Sequence, residues 1–458
     1  METEQNQNNR LGTEPVAKLL FSLALPAIAA QIINLLYNVI DRIYIGHIPG
    51  EGSLALTGVG VTFPVLMLVS AFAALIGFGG APRAAIAMGK QDKEAAEEIL
   101  GNCVAALFVL SALLTVIFFV FAEPILTAFG ASEETIGYAL DYIRIYVLGT
   151  VFVQVTTGLN AFITSQGFAT TAMKTVMIGA GLNLVLDPVF IFAFSMGVKG
   201  AAIATILSQA VSAVWVLAFL SGKKTVLKIS RKNFKIKFGV IGPVLALGVS
   251  PFIMQATESV LSVCFNTSLL EYGGNLAVGA MTILSSVMQA AMMPIQGMSQ
   301  GMTPIVSYNY GAEKMDRVRQ AFLITLATCL GYTFLLWLIA MLAPQVLARI
   351  FTPDETLVEY CSWAMRIYMA GSCIFGAQIA CQQTFVAMGK AVHSLFLAVL
   401  RKLFLLIPFI YLLPNILEDK VFAVFLAEPV SDVLAVMTTV TLFGFTVWKM
   451  MNPKKQQE

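Results

Sequence analysis

Apolar runs separated by short polar connections fill almost the whole chain. They fall at about residues 19–46, 53–80, 96–122, 138–164, 171–194, 199–221, 239–270, 275–308, 320–343, 360–388, 393–414 and 421–448. Each is at least as long as the roughly 20 mostly apolar residues that a membrane-crossing helix needs, so the pattern predicts twelve spans. Several runs carry an internal proline (Pro26, Pro64, Pro251, Pro294), which membrane helices tolerate where neighbours re-satisfy the freed backbone groups. Residues 1–18 are polar and include Arg10 and Lys18. The run behind them is too long for a signal-peptide core and is followed by no small-residue cleavage site, so it reads as a retained first span.

Composition removes the soluble alternative. Of 458 residues, 58% are hydrophobic and 12% charged, with mean hydropathy +0.82, about half the charge of a soluble domain. With 28 basic and 26 acidic residues the net charge is +2, and no basic domain exists to meet nucleic acid. Six cysteines (Cys103, Cys264, Cys329, Cys361, Cys373, Cys381) form no CxxC or CxxH pattern and read as small apolar fillers. His47 and His393 are too few for a metal site. The expected class is an all-α polytopic membrane protein.

Loop charge gives the spans a direction. The even-to-odd connections carry Arg83, Lys90 and Lys93, then Lys174, then seven Lys or Arg between 223 and 237, then Lys314, Arg317 and Arg319, then Lys390. The odd-to-even connections carry almost none, and collect Glu123, Glu133, Glu134, Asp354 and Glu355 instead. The positive-inside rule then places both termini and the 222–238 segment in the cytoplasm.

A shift of 222 residues aligns the two halves. Gly79, Pro82 and Gly89 meet Gly301, Pro304 and Gly311; Phe129, Glu133 and Tyr138 meet Phe351, Glu355 and Tyr360. Arg144-Ile145-Tyr146 and Gly149 meet Arg366-Ile367-Tyr368 and Gly371, and Gly167 meets Gly389. Six spans per half is an even number, so both halves run the same way. The organisation predicted is a six-helix lobe over 1–221, a basic cytoplasmic linker over 222–238 and a second six-helix lobe over 239–458. Parallel repeats of this kind mark transporters, in which two bundles rock about a site at their interface.

An ionisable side chain inside a span costs roughly 2.5–3.5 kcal/mol near the centre and is a functional candidate by default. The candidates are Asp41 on span 1, Asp187 on span 5, Glu258 on span 7, Arg401 on span 11, and Glu428 with Asp432 on span 12. On span 1, Gln31, Asn34, Asn38 and Asp41 fall within an arc of about 80° at 100° per residue. Asn183 and Asp187 are one turn apart on span 5, and span 6 aligns Thr205, Ser208 and Ser212. Asp41, Asp187 and Thr205 also lie at similar depth. Two carboxylates, an amide and a hydroxyl at one level can hold Na⁺ or share a proton; equally, they can form a buried hydrogen-bond network that ties helices together.

The second half differs in character. Span 7 aligns Gln255, Glu258, Ser262 and Asn266, and span 8 aligns Met281, Ser285, Gln289, Met292 and Gln296. Met-rich surfaces repack around unlike ligands, which suits a promiscuous apolar cavity, although a Met stripe also serves plain packing. Arg144 and Arg366 read as snorkelling or loop-stapling residues. Arg401 and Asp432 lie at comparable depth and are expected to pair.

The stretches LALPAIAAQIINLLYNVIDRIYIGH, RAAIAMGKQDKEAAEEILGN, NLVLDPVFIF and GVKGAAIATILSQ in the first half, with PIVSYNYGAEKMDRVRQA and MGKAVHSLFLAVLRKLFLLIP in the second, resemble the multidrug and toxic compound extrusion (MATE) family of bacteria. The resemblance covers nearly the whole chain. It implies twelve helices in two lobes around a V-shaped cavity, and export of organic cations in exchange for H⁺ or Na⁺. It implies a first-lobe cation site at Asp41, Asn183, Asp187 and Thr205, with Asn34, Tyr37 and Asn160 as further polar positions of the cavity. Glu258 resembles the helix-7 acid of one branch. That branch also uses a helix-10 acid, and here residues 360–389 contain no Asp or Glu.

The expected function is therefore a cation-coupled antiporter in the bacterial cytoplasmic membrane, exporting cationic amphiphilic drugs or toxins by alternating access. The expected cavity set is Gln31, Asn34, Tyr37, Asn38, Asn160, Gln255, Glu258, Met281, Gln289 and Met292. Its partners would be small organic molecules and the lipid bilayer, with no nucleic acid, no cofactor beyond the coupling ion, and a monomeric state. One rival is a flippase for a lipid-linked saccharide, which tends to line its cavity with cations to meet a pyrophosphate. A second rival, an intramembrane enzyme, lacks any DDxxD, GxSG, HExxH or GxxxxGK[ST] motif in this sequence.

Overall fold

The computed structural model describes residues 10–451, and all regular structure among them is helical. Six elements form the first half: α1 (Val16–Gly46), α2 (Gly52–Gly89), α3 (Lys93–Val120), α4 (Ile136–Leu148, then Thr150–Ser165 after a 58° bend), α5 (Ala169–Ala193) and α6 (Gly197–Ser221). The helix Phe238–Gly311 supplies α7 and α8, joined without a loop through Gly274, whose φ of 66° breaks the helical path. The remaining elements are α9 (Met315–Leu342), α10 (Glu355–Tyr368 continued by Phe375–Ala387), α11 (Ala391–Asn415) and α12 (Lys420–Trp448). The twelve spans match the apolar runs, and the expected cytoplasmic chain ends concern residues 1–9 and 452–458, outside the described residues.

The repeat explains two bends that hydrophobicity does not reveal. The break in α4 falls at Gly149 and the break in α10 follows Tyr368, beside Gly371, the repeat mate of Gly149. A Cβ on Gly149 would lie 2.6 Å from Ile206 of α6, and one on Gly371 would lie 3.1 Å from Pro429 of α12. Each bend thus lets the fourth helix of its repeat approach the sixth. Three further distortions are π-helical: Val189–Ala193, directly after Pro188, Leu400–Leu406, and Gly444–Trp448 at the end of α12.

Buried apolar side chains form three clusters. One is built from the first half alone (Ile45, Leu114, Tyr142, Val198), at the end bearing the 46–52 and 121–136 connections. A second is built from the second half alone (Leu269, Ala277, Val358, Phe425), at the same end. The third mixes both halves (Leu20, Ala84, Phe162 with Ile305, Phe322, Phe385) at the opposite, basic end. The halves share a core at one end only and part toward the other, which is the expected V.

The basic end is held by polar contacts as well. Arg317 Nη2 donates to Leu11 O at 3.1 Å and Glu14 O at 2.6 Å, Asn309 Nδ2 donates to Leu11 O at 2.9 Å, and Lys314 Nζ donates to Gly12 O at 2.9 Å. The 222–238 segment is no free tether. Val226 and Leu227 are buried, and Gln166 Oε1 accepts from Val226 N at 2.9 Å, Leu227 N at 2.8 Å and Thr225 Oγ1 at 2.9 Å. Lys237 N donates to Asn102 Oδ1 at 2.7 Å. The segment therefore packs on the first half.

Candidate functional site

Asp187 stands where α5 changes from α- to π-helix at Pro188, so its carboxyl is fixed at an irregular point of the backbone. Asn183, one turn earlier, donates from Nδ2 to Asp187 Oδ1 at 3.1 Å and reaches Thr205 Oγ1 at 3.4 Å. All three are buried, Asp187 completely. Asp41 of α1 meets this group at hydrogen-bonding distance from Asp187. Asp41 Oδ1 and Asp187 Oδ2 are buried with no donor from the protein. The neighbouring Arg42 gives Asp41 Oδ1 no hydrogen bond; its guanidinium lies over Phe63, 5.1 Å from the ring centroid. Two carboxyl groups this close repel each other when both are charged, and their free oxygens can be met by a shared proton, a small cation or water. No cluster of three His, Cys, Asp or Glu side chains suited to a metal occurs among the described residues, so any metal ion here would be held by two carboxylates plus amide and hydroxyl oxygens.

The hydroxyls of Tyr37 and Tyr142 adjoin Thr205 and lie in the field of Asp41. Tyr142 was not among the sequence candidates. Its signal was the Tyr142–Tyr146 pair at one-turn spacing, whose rings stack with centroids 6.0 Å apart.

A cavity of about 230 Å³ lies beside the acid group, walled by α1, α2, α4, α5 and α6 and floored by α8 and α10. Gln31, Asn34, Tyr37, Asn160, Asn183 and Thr205 line it, while Asp41 and Asp187 do not. Among the described residues its lining holds no charged side chain, only amides, hydroxyls and apolar groups. The acids therefore sit behind Asn183 and Thr205 rather than in the wall. Asn160 Oδ1, Ser208 Oγ and Gln209 Oε1 line the cavity as buried oxygens without a protein donor, so they can accept from a ligand's N–H or O–H. Thr156, Thr164, Gln300, Thr303 and Gln383 also line it and were missed. The spacing Thr156, Asn160, Thr164 on α4 was the available signal.

The rest of the expected cavity set lies outside the lining of this 230 Å³ cavity. Asn38, Gln255, Glu258, Met281, Gln289 and Met292 are absent from this lining. Met281 is packed into the second-half core, and Met292 packs on the shared core, so neither presents a free Met surface to the cavity. Asn38 Nδ2 donates to Asn34 O at 2.8 Å. In the second half, Arg401 Nε donates to Asp432 Oδ1 at 2.8 Å and Arg401 Nη2 to Glu428 Oε1 at 3.1 Å, the expected pair with one more acid. Lys402, absent from the sequence candidates, pairs with Glu258. Arg366 Nε donates to Met341 O at 3.1 Å and so staples α10 to α9.

The family model MatE matches residues 26–189 and 251–412, one segment in each repeat. The chain belongs to the MatE family. As a member it is a membrane transporter and not an enzyme. It is 23% identical over 429 residues to the "Multidrug export protein MepA" of Staphylococcus haemolyticus (strain JCSC1435), covering 93% of this chain and 94% of that protein. The MepA of Staphylococcus aureus (strain N315) is 22% identical over 428 residues, covering 92% and 93%. Among solved structures, an outward-facing multidrug resistance MATE family transporter of the MOP superfamily superposes with TM-score 0.89 at 23% identity, covering 96% of this MatE chain and 98% of that one. A MOP superfamily transporter from Pyrococcus furiosus Vc1 (DSM3638) gives TM-score 0.88 at 23% identity over the same shares.

Proposed function

We propose that this transporter exports organic cations across the bacterial cytoplasmic membrane in exchange for H⁺ or Na⁺, with Asp41, Asn183, Asp187 and Thr205 as the coupling site. The observation that carries this reading is the contact of half-buried Asp41 with fully buried Asp187, each with one buried oxygen that no protein donor meets, behind the cavity wall. A cation or proton entering between them relieves the repulsion of the two carboxylates. Asn183 and Thr205 belong to both the acid group and the cavity lining, so occupancy of the acids changes the hydrogen bonds these two offer a substrate. That shared membership is a physical route for reciprocal coupling between ion and drug. The relatives named multidrug export proteins support drug-like substrates, and the uncharged, acceptor-rich lining suits ligands that donate hydrogen bonds. Opening of the V at one end supports alternating access, with the other end closed by the shared core. An exported single charge climbs the same potential that the entering ion descends, so a one-for-one exchange runs on the ion's concentration gradient, and a tenfold gradient supplies about 1.4 kcal/mol, or roughly tenfold accumulation at equilibrium.

A lipid-saccharide flippase is less well supported, because the cavity lacks the cations that a pyrophosphate would require. The test is uptake of a cationic dye into proteoliposomes with a pH gradient and a Na⁺ gradient imposed separately. One gradient should drive transport, and Asp41→Asn or Asp187→Asn should abolish the gradient dependence. Unchanged gradient-driven transport in both variants would remove these residues from the coupling site.

A further inference from the structure

Five ionisable side chains meet inside the second half, on α7, α11 and α12. Arg401 is engaged by Asp432 and Glu428, and its guanidinium also lies 4.4 Å from the ring centroid of Phe375. Lys402 follows it on the π-helical stretch Leu400–Leu406, and the change of direction between consecutive residues sends the ammonium to α7 instead. There it meets Glu258 and lies 3.5 Å from Met254 O. With all three carboxylates ionised against two bases, the cluster carries one surplus negative charge.

The members of the Glu258–Lys402 pair differ in what can reach them. The Lys402 side chain is 6% exposed and that of Glu258 is 64% exposed. A carboxylate so exposed in the middle of a span is too costly to place in lipid tails, so it faces the wet opening between the halves. The position of α7 agrees: six residues earlier, Phe252 packs across the divide on Phe72 of α2, with ring centroids 4.9 Å apart.

We propose that Lys402 is an internal stand-in for the transported cation at Glu258, and that it sets the charge selectivity of the second half. An organic cation takes the exposed carboxylate and displaces the buried ammonium. The cluster's surplus negative charge then balances the ligand, so cluster and ligand together are neutral. An organic anion meets the same surplus and is held off. This inference rests on the proposed transport of organic cations, and goes beyond the acid itself to the base that competes for it.

The experiment measures binding of tetraphenylphosphonium and tetraphenylborate, ions of one shape and opposite charge, to purified protein in detergent with no gradient. The wild type should prefer the phosphonium. Lys402→Met should bind the phosphonium about tenfold more tightly with no gain for the borate. Glu258→Gln should weaken the phosphonium about tenfold and strengthen the borate, and the double variant should lose the preference. If Lys402→Met fails to fold, Glu258→Gln and Lys402→Arg, which keeps the competing charge and the wild-type preference, still decide the matter. Equal shifts for both ions, or none, would overturn the role of Lys402, and so would a wild type that binds neither. Loss of gradient-driven export in Asp41→Asn protein with this ion preference intact would bear on the coupling site alone.

Discussion

Gly89 and Gly311, repeat mates 222 residues apart, meet the backbone of the opposite half in the same way: a Cβ on Gly89 would lie 2.0 Å from Tyr308 O, and a Cβ on Gly311 would lie 2.0 Å from Ile86 O. Ile86 and Tyr308 are themselves repeat mates. Further along the same helices Gly79 packs on Val244 O and Gly301 on Ala24. The halves close at the basic end by symmetric backbone-to-backbone approach, which only glycine permits, much as small residues permit close crossings between membrane helices generally.

A side chain at either crossing should force the basic end apart. Gly89→Val or Gly311→Val is expected to cost about 1–3 kcal/mol of stability in this closed arrangement, the range for overpacking. Thermal unfolding in detergent checks it, with Gly60→Val as the control, since a Cβ there has nothing within 4 Å. Equal melting temperatures for Gly89→Val and the control would refute the close approach.

Arg401 holds two acids, so removing it alone should be far worse than removing all three charges. Arg401→Met strands Glu428 and Asp432 and should cost about 3–5 kcal/mol, whereas Arg401→Met/Glu428→Gln/Asp432→Asn should recover most of that. Melting curves of the two proteins decide this. A triple variant no more stable than the single one would contradict it.

Gln166 is the clamp for the segment after α6. Gln166→Ala leaves the buried N–H groups of Val226 and Leu227 without their acceptor, at about 1–3 kcal/mol for each stranded donor. Limited proteolysis should then cut the 222–238 segment faster, while cleavage elsewhere is unchanged.

Thr205 and Asn183 join acid group to cavity, so Thr205→Val should lower both substrate affinity and ion dependence. Removing one neutral hydrogen bond is worth about 0.5–1.5 kcal/mol, or roughly two- to tenfold in binding. Thr156→Val lines the cavity but touches no acid, and should change substrate affinity alone. Ion-dependent binding curves separate the two outcomes.

Much of this was readable from the chain because the membrane imposes strict local rules. Apolar runs gave the twelve spans, and the glycines aligned by the 222-residue shift turned out to be the crossing and bending points. One-turn spacing put Asn183 beside Asp187. Spacing along single helices said nothing, however, about which side chains of different helices would meet. Met281 and Met292 looked like a binding stripe; Met281 lies in the second-half core, and half-buried Met292 rests on the shared core outside the 230 Å³ cavity. Thr303 and Gln383 sit on different helices of the second half, yet they floor a cavity in the first. Lys402 was passed over because its partner lies on α7, 144 residues away.

The sequence by itself determined the class, the span count and the repeat, since hydrophobic length and the cost of buried charge act residue by residue. Only the tertiary structure decided that the acids stand behind an uncharged wall and that Arg401 and Lys402 serve different carboxylates. It also decided that the two halves share a core at one end alone. Those outcomes depend on helix crossings and on the bends at Gly149 and Gly371, where packing between distant segments overrides the periodicity of any single helix.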